Sequence, residues 1–316
     1  MENKNIRSIK NIFTTFMPYV GLLLVILIFY ITTDGKLFSS YNTQIIIQQT
    51  TALAIICLGA VFVYSLGELD VSIGACVGIC TLIQINIINA GYPVIIGVLA
   101  SLLLSLCFGL INGAASTWLA LPSIVTSLFL MFEGNGIQAL ITLKTNTITT
   151  DYDFTLIRET WFQILILVIV AIITGYLFKF SHIGKYTKAI GANKIAAEQS
   201  GVSVFKYRIM AFLIMGSTVA IGSLFILARS ASSSKATGSG FHMDVMIALI
   251  LGGMPLKGGM KSRFPAALIG SFIYIILTNG LTLSGVGITY VPLVKSIIFI
   301  VIVIITCRQK GGVLPK

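Results

Sequence analysis

The chain has 316 residues, 56% of them hydrophobic and only 10% charged, with a formal net charge of +11 and a mean hydropathy of +0.99. A soluble domain normally carries about 25% charged residues, so this one lacks the charge to cover a water-exposed surface and reads as an integral membrane protein. Its long runs are apolar on every side, which excludes the in-out alternation of a β-barrel strand.

About 20 helical residues span a hydrocarbon core of about 30 Å. On that measure the sequence predicts helices at 16–33, 44–66, 71–89, 93–119, 121–142, 161–180, 207–229, 243–257, 264–283 and 288–306, the eighth of them short. The expected fold is all-α, a polytopic bundle of about ten helices forming one transmembrane domain over residues 1–316. A short basic start precedes the first run, but no small-residue cleavage site follows near "YITTDGKLF", so an uncleaved first helix is expected.

Between the second and third runs, "YSLGELDVSIGACVG" places Glu68 and Asp70 two residues apart in a chain with ten carboxylate side chains in all. Cys76 and Cys80 follow at i and i+4 on one helix face. With Cys57, Cys107 and Cys307 they are expected to be small core residues, because no histidine or further cysteine is spaced to complete a metal site. Asn112 and Gly113 sit in "FGLINGAASTWLALP", before the break at Pro122, where Asn112 is placed to hydrogen-bond across helices. Glu133 and Lys295 are ionisable residues inside predicted spans, a costly placement that marks function or a pair. A bond from Lys295 to a carboxylate is one expectation.

The longest polar connection is "SHIGKYTKAIGANKIAAEQSGVSVFKYR", residues 181–208. Asn193 suits an N-cap and Gly201 a left-handed C-cap, predicting a short helix over "KIAAEQS". Ala196 and Ala197 leave its centre slim enough to enter a groove on another protein, and Lys194 and Glu198 are spaced to pair. A plain connecting loop on the membrane surface fits the spacing as well.

Catalytic patterns are lacking. His182 and His242 each stand alone, and no His-Glu-x-x-His or Gly-x-Ser-x-Gly occurs. In "GMPLKGGMKS" Gly259 stands where a P-loop lysine belongs, and "GSGFHM" lacks the third glycine of a dinucleotide turn. A helical membrane body without a nucleotide site or catalytic group is expected to move a solute, not to be an enzyme.

Lysine and arginine are retained in cytoplasmic loops. With the N-terminus inside, fifteen of the twenty-one fall on the cytoplasmic side (Lys4, Arg7, Lys10, Lys179, Lys185, Lys188, Lys194, Lys206, Arg208, Lys257, Lys261, Arg263, Arg308, Lys310 and Lys316), so both termini are expected to be cytoplasmic. The positive charge follows from topology and implies no nucleic acid.

Glycines at 67 and 74 bracket the first charged stretch, and glycines at 252 and 259 bracket "GGMPLKGG", the same seven-residue separation 185 residues later. One reading is an internal duplication with an interrupted membrane helix in each half, a pointer to a transport path; the other is a pair of tight glycine turns at the cytoplasmic face. The path or gate residues expected are Gly67, Glu68, Asp70, Ser72, Gly74, Asn112, Gly252, Gly253, Gly258 and Gly259.

Taken together, "GELDVSIG", "AIGANKIAAEQSGV" and "TGSGFHMDVMIALILGGMPLKGG" resemble the permease subunit of ABC importers of the ribose, xylose and galactoside type, in order and spacing, from about residue 45 to 305. Departures fall at Glu68, where that family has glycine, and at Ala192, Pro255, Lys257 and Pro265. The resemblance implies a coupling helix that docks on a separate cytoplasmic ATPase subunit, with Gly191, Asn193, Ala196, Ala197, Glu198 and Gly201 as its residues. It also implies a second permease copy or homologue, an extracytoplasmic solute-binding protein, and a location in the plasma membrane among lipid. ATP and Mg are then bound by the partner, with no cofactor in this chain. A sugar is the solute implied. A nucleoside, autoinducer or branched-chain amino acid permease shares much of the pattern, and an ion-coupled secondary transporter using Glu68 and Asp70 is the reading from a different class.

Overall fold

The computed structural model describes residues 18–297 and residue 300. The chain is helical there apart from linkers and one two-stranded ribbon: α1 (Pro18–Thr32), α2 (Ser40–Ser65), α3 (Ile73–Asn89), α4 (Val94–Trp118), α5 (Ser123–Ile141), β1 (Thr147–Thr149), α6 (Thr155–Arg158), α7 (Thr160–Lys179), α8 (His182–Ala192), α9 (Lys194–Gln199), α10 (Val204–Ser230), β2 (Ser232–Ser234), α11 (Phe241–Leu251) and α12 (Pro265–Leu283). A 3-10 turn at Ile288–Tyr290 leads into helical backbone over 291–297. Six helices, α2, α4, α5, α7, α10 and α12, are long and apolar enough to cross a membrane by length and composition, while α1, α3 and α11 are apolar but shorter. The expected start of the first helix at 16–17, the expected end of the last helix at 298–306 apart from residue 300, the terminal cations and Cys307 lie outside the described residues.

Helix starts follow local chemistry. Ser39 accepts from the amide of Asn42 at the head of α2, Ser203 accepts from that of Lys206 at α10, and Pro265 opens α12 at a position where a missing N–H is harmless. Lipid supplies no hydrophobic drive between spans, so close approach over small residues organises the centre. There α2 and α10 cross with Gly59 against Met215 and Thr218, and Gly222 against Ile56. Gly109 and Gly113 of α4 rest on Phe212 and Ile209 of α10, and Gly134 of α5 on Ala75 of α3. The result is a core of α2, α3 and α10 wrapped by α4, α5, α7 and the α11–α12 pair.

Successive helices alternate in direction. Linkers 66–72, 119–122, 180–203 and 252–264 gather at one end, called here the basic end because Lys185, Lys188, Lys194, Lys257 and Lys261 lie in them. The opposite end carries the antiparallel β1–β2 ribbon, in register Thr147 to Ser234. Asn89 at the end of α3 donates to the Thr149 carbonyl there.

Three expectations change. The eighth helix runs over Phe241–Leu251 rather than 243–257, because Gly253 adopts φ +89° and the chain turns away from the helix. The connection at 181–208 holds two helices, since Ser181 caps α8 and Gly184, Thr187 and Ile190 give that helix a buried face. The glycine-bracketed stretches join separate helices at the basic end and do not interrupt spans. The interruption lies instead at 231–240, between α10 and α11, where the ribbon strand and a turn descend beside α3 as far as Gly74.

Candidate functional site

The two glycine stretches, remote in sequence, meet. A Cβ on Gly67 would lie 2.7 Å from the Lys257 carbonyl oxygen, and one on Gly258 would collide with the Gly67 amide and the Tyr64 and Ser65 carbonyls. Gly258 has φ +63°, so a side chain there is opposed by both conformation and space. The Gly259 amide donates to the Ser65 carbonyl at 2.9 Å, and Gly191 of α8 closes on that same carbonyl and on Gly259. Gly67, Gly191, Gly258 and Gly259 thus form one three-stranded backbone junction at the end of α2.

The carboxylates beside it are tied to neighbouring helices. Glu68 pairs with Arg208 of α10, whose Nη1 also donates to Ser116 O at 3.2 Å and Thr117 Oγ1 at 3.0 Å on α4. Asp70 is 3% exposed; its Oδ1 accepts from the Ser72 amide at 2.7 Å and the Ser72 hydroxyl at 2.6 Å, and its Oδ2 from Asn112 Nδ2 at 3.0 Å. The Val71 amide donates to Ser127 Oγ of α5 at 3.1 Å. Burial raises both carboxyls of this linker, which lies outside the spanning helices, against hydrogen bonds from Ser72 and Asn112 at Asp70 and the Arg208 guanidinium at Glu68. The linker is a brace that binds α2, α4, α5 and α10 together.

The other expected path residues sit elsewhere. Gly74 backs onto the Gly238 carbonyl, Gly252 onto the Ala266 carbonyl, and Gly253 faces the Pro18 ring. Ser72 serves Asp70. Glu133 lies on an exposed face of α5.

At the basic end Asn193 caps α9, its Oδ1 accepting from the Ala196 amide at 3.1 Å. Gly201, at φ +80°, ends it, with its amide donating to the Glu198 carbonyl. Lys194, Ile195, Ala196 and Glu198 face outward, but Ala197 is buried, so of the two alanines Ala196 alone is presented. Lys194 and Glu198 do not pair within 4 Å. A groove of about 720 Å³ runs beside α9, lined by Tyr186, Ala192, Asn193, Ala196, Gly201 and Tyr207. Lys188 of α8 lies 4.5 Å above the Phe178 ring, where burial lowers its ammonium.

A second place, missed from sequence, lies in the other half of the bundle. A cavity of about 410 Å³ opens between α2, α10, the 232–239 stretch, α11, α12 and Lys295. At its wall the Tyr274 hydroxyl donates to Asp244 Oδ1, the Lys295 ammonium donates to the Tyr274 oxygen, and Lys295 Nζ stands 3.6 Å from Asp244 Oδ1. The expected carboxylate partner of Lys295 is therefore Asp244, reached through a phenol. A second opening of about 700 Å³ shares Gln49, Thr278 and Lys295 with this cavity and reaches Lys36 and Ser39. The available sequence signal is Tyr274 and Thr278 at i and i+4 in apolar α12, with Asp244 in the first turn of a helix that follows a break. Among the described residues no group of His, Cys, Asp and Glu could hold a metal ion; Cys57, Cys76 and Cys80 are free thiols in the core as expected, but Cys107 is a free thiol on the exposed face of α4 and not a core residue.

Comparison with known proteins adds the following. A family model described as "Branched-chain amino acid transport system / permease component" matches residues 42–306. The ribose import permease protein of Escherichia coli K12 is 27% identical over 298 residues, covering 91% of this chain and 92% of that protein. The autoinducer 2 import system permease protein of Photorhabdus luminescens is 28% identical, covering 99% and 92%. The xylose transport system permease protein of Haemophilus influenzae is 25% identical, covering 93% and 96%. No solved structure matches.

Proposed function

The chain belongs to the branched-chain amino acid transport system / permease component family, and we propose that it is the membrane permease subunit of an ATP-driven importer for a sugar of the ribose, xylose or galactose kind. The observation that carries this reading is the α8–α9 elbow. It exposes a capped helix at the basic end of the bundle and seats its own Gly191 on the junction that joins α2 to the 252–264 linker. A partner ATPase pressing on Ala196 and Ile195 thereby acts on the bundle through backbone contacts that leave no slack.

In this reading the basic end and both termini are cytoplasmic. An extracytoplasmic binding protein delivers the sugar to the opposite end, a second permease copy or homologue completes the path, and ATP and Mg are bound by the partner ATPase. The chain then does no chemistry of its own. The relative named for autoinducer 2 supports a second reading of the solute with the same machinery. An ion-coupled carrier is disfavoured because Glu68 and Asp70 are held by Arg208, Ser72 and Asn112.

Reconstitution in liposomes with the ATPase subunit and binding protein tests the proposal. Ribose or xylose should stimulate ATP hydrolysis and enter the vesicles. Uptake by the chain alone under a proton or sodium gradient, with none driven by ATP, would overturn it.

A further inference from the structure

The cavity at Asp244 has three properties that bear on what enters it. Its volume, about 410 Å³, lies within the range of small-molecule sites, roughly 300–1,000 Å³. Its lining includes the polar residues Ser239, Thr278 and Gln49 and the cation Arg229. Gln49, Thr278 and Lys295 also line the second opening, which reaches Lys36 and Ser39, so the two openings adjoin at these residues.

The charged groups satisfy one another across its wall. Asp244 accepts from Tyr274, Tyr274 accepts from Lys295, and the ammonium stands 3.6 Å from the carboxylate. An acceptor and a donor held at that spacing match the two functions of a vicinal diol, one hydroxyl donating to the carboxylate while its neighbour accepts from the ammonium. A diol that enters must displace the Tyr274 hydroxyl, so part of its binding energy is offset by a lost internal bond. Recognition is then selective and weak, as a conduit requires, since a solute must leave as readily as it enters.

We propose that this cavity is a contact site for polyhydroxylated solutes within the membrane domain, with Asp244 and Lys295 as the diol-recognising pair and Tyr274 as the group that closes the pair when the site is empty. The assignment rests on the reading of the chain as a polar-solute permease, but its test needs neither ATP nor partner subunits, so the two fail separately.

The probe is a cysteine at the cavity wall, Ser239→Cys, in the full chain in lipid nanodiscs. It is labelled with a charged maleimide and followed by mass spectrometry of its own peptide. Ribose and xylose, each tested to concentrations of about twice its dissociation constant, should slow labelling about threefold, the factor set by occupancy. Betaine, equally osmotic and without hydroxyls, should not. Protection should vanish in Asp244→Asn and in Lys295→Met, whose unprotected labelling rates report that the cavity is intact. In Tyr274→Phe, which keeps the ring and loses the competing hydroxyl, protection should appear at lower sugar concentration. Protection by neither sugar up to the solubility limit, equal protection by betaine, or undiminished protection in the Asp244 and Lys295 variants would overturn the proposal.

Discussion

At the basic end, Glu68 is held by Arg208 between the ends of α4 and α10, in a linker whose backbone is packed against two other loops. Across the bundle, Asp244 is also held by a cation, but through a phenol and beside open space. Both are carboxylates in a chain that has few, and both are paired. The difference lies in what surrounds the pair. Around Glu68 every neighbour is another piece of the bundle, so the charge fixes helices. Around Asp244 one side is empty, so the pair can exchange its partner for a solute. In an apolar bundle, adjoining empty volume separates a recognising charge from a bracing one better than burial does.

Substitutions can break that contrast. The largest effect is expected at Gly258, where alanine meets a left-handed backbone worth about 1–3 kcal/mol of strain and collides with the Gly67 amide. Gly258→Ala should lower the yield of folded protein in size-exclusion chromatography and strongly lower Tm. Next is Arg208→Met, which strands Glu68; breaking a buried pair destabilises by about 3–5 kcal/mol, read as a fall in the denaturation midpoint. Adding Glu68→Leu should recover most of that loss. Asn112→Leu removes one donor from the fully enclosed Asp70 and should destabilise by about 1–3 kcal/mol, with residual transport scaling with folded protein. Asp244→Asn should leave Tm within a degree or two, because the cavity wall is not a brace, while lowering sugar uptake by about tenfold, equivalent to about 1.4 kcal/mol. The smallest structural effect is expected at α9. Ala196→Trp, on the outward face, should not change stability but should separate ATP hydrolysis from uptake in the reconstituted system, whereas Ala197→Trp, on the buried face, should destabilise the chain.

The helical framework was readable because span length and apolar composition are local properties. The cap at Asn193 marked a helix start for the same reason, whereas the start of α10 at Val204, set by Ser203, lies three residues before the expected 207. The eighth helix was read too long because Met254, Pro255 and Leu256 continue the apolar composition after Gly253 has turned the backbone. Helix α8 was read as loop because its apolar residues are few, and what organises it is burial of Gly184, Thr187 and Ile190 against the bundle. The glycine spacing at 67–74 and 252–259 was legible as a pattern but not as a contact. That the stretches meet each other, with Gly191 as a third member, depends on how three linkers fold onto one end of α2. Arg208 read as a loop cation, and nothing local ties it to a carboxylate 140 residues earlier. Lys295 was marked as needing a partner, yet both Asp244 and the intervening Tyr274 follow from tertiary placement.

Helices α11 and α12 approach so closely that a Cβ on Gly270 would collide with the Ala248 carbonyl, and one on Gly252 with the Ala266 carbonyl. Such a pair is packed to backbone contact. Asp244 stands on one member and Tyr274 on the other, so their mutual bond lies within the packed pair, while Lys295 belongs to a separate segment. From Asp244 in its first turn to its end at Leu251, at about 1.5 Å of rise per residue, α11 leads from that bond toward the linker that carries Gly258 and Gly259. If a partner pushes on the junction as proposed, α11 and α12 are expected to shift together, and the contact expected to loosen first is the one to Lys295.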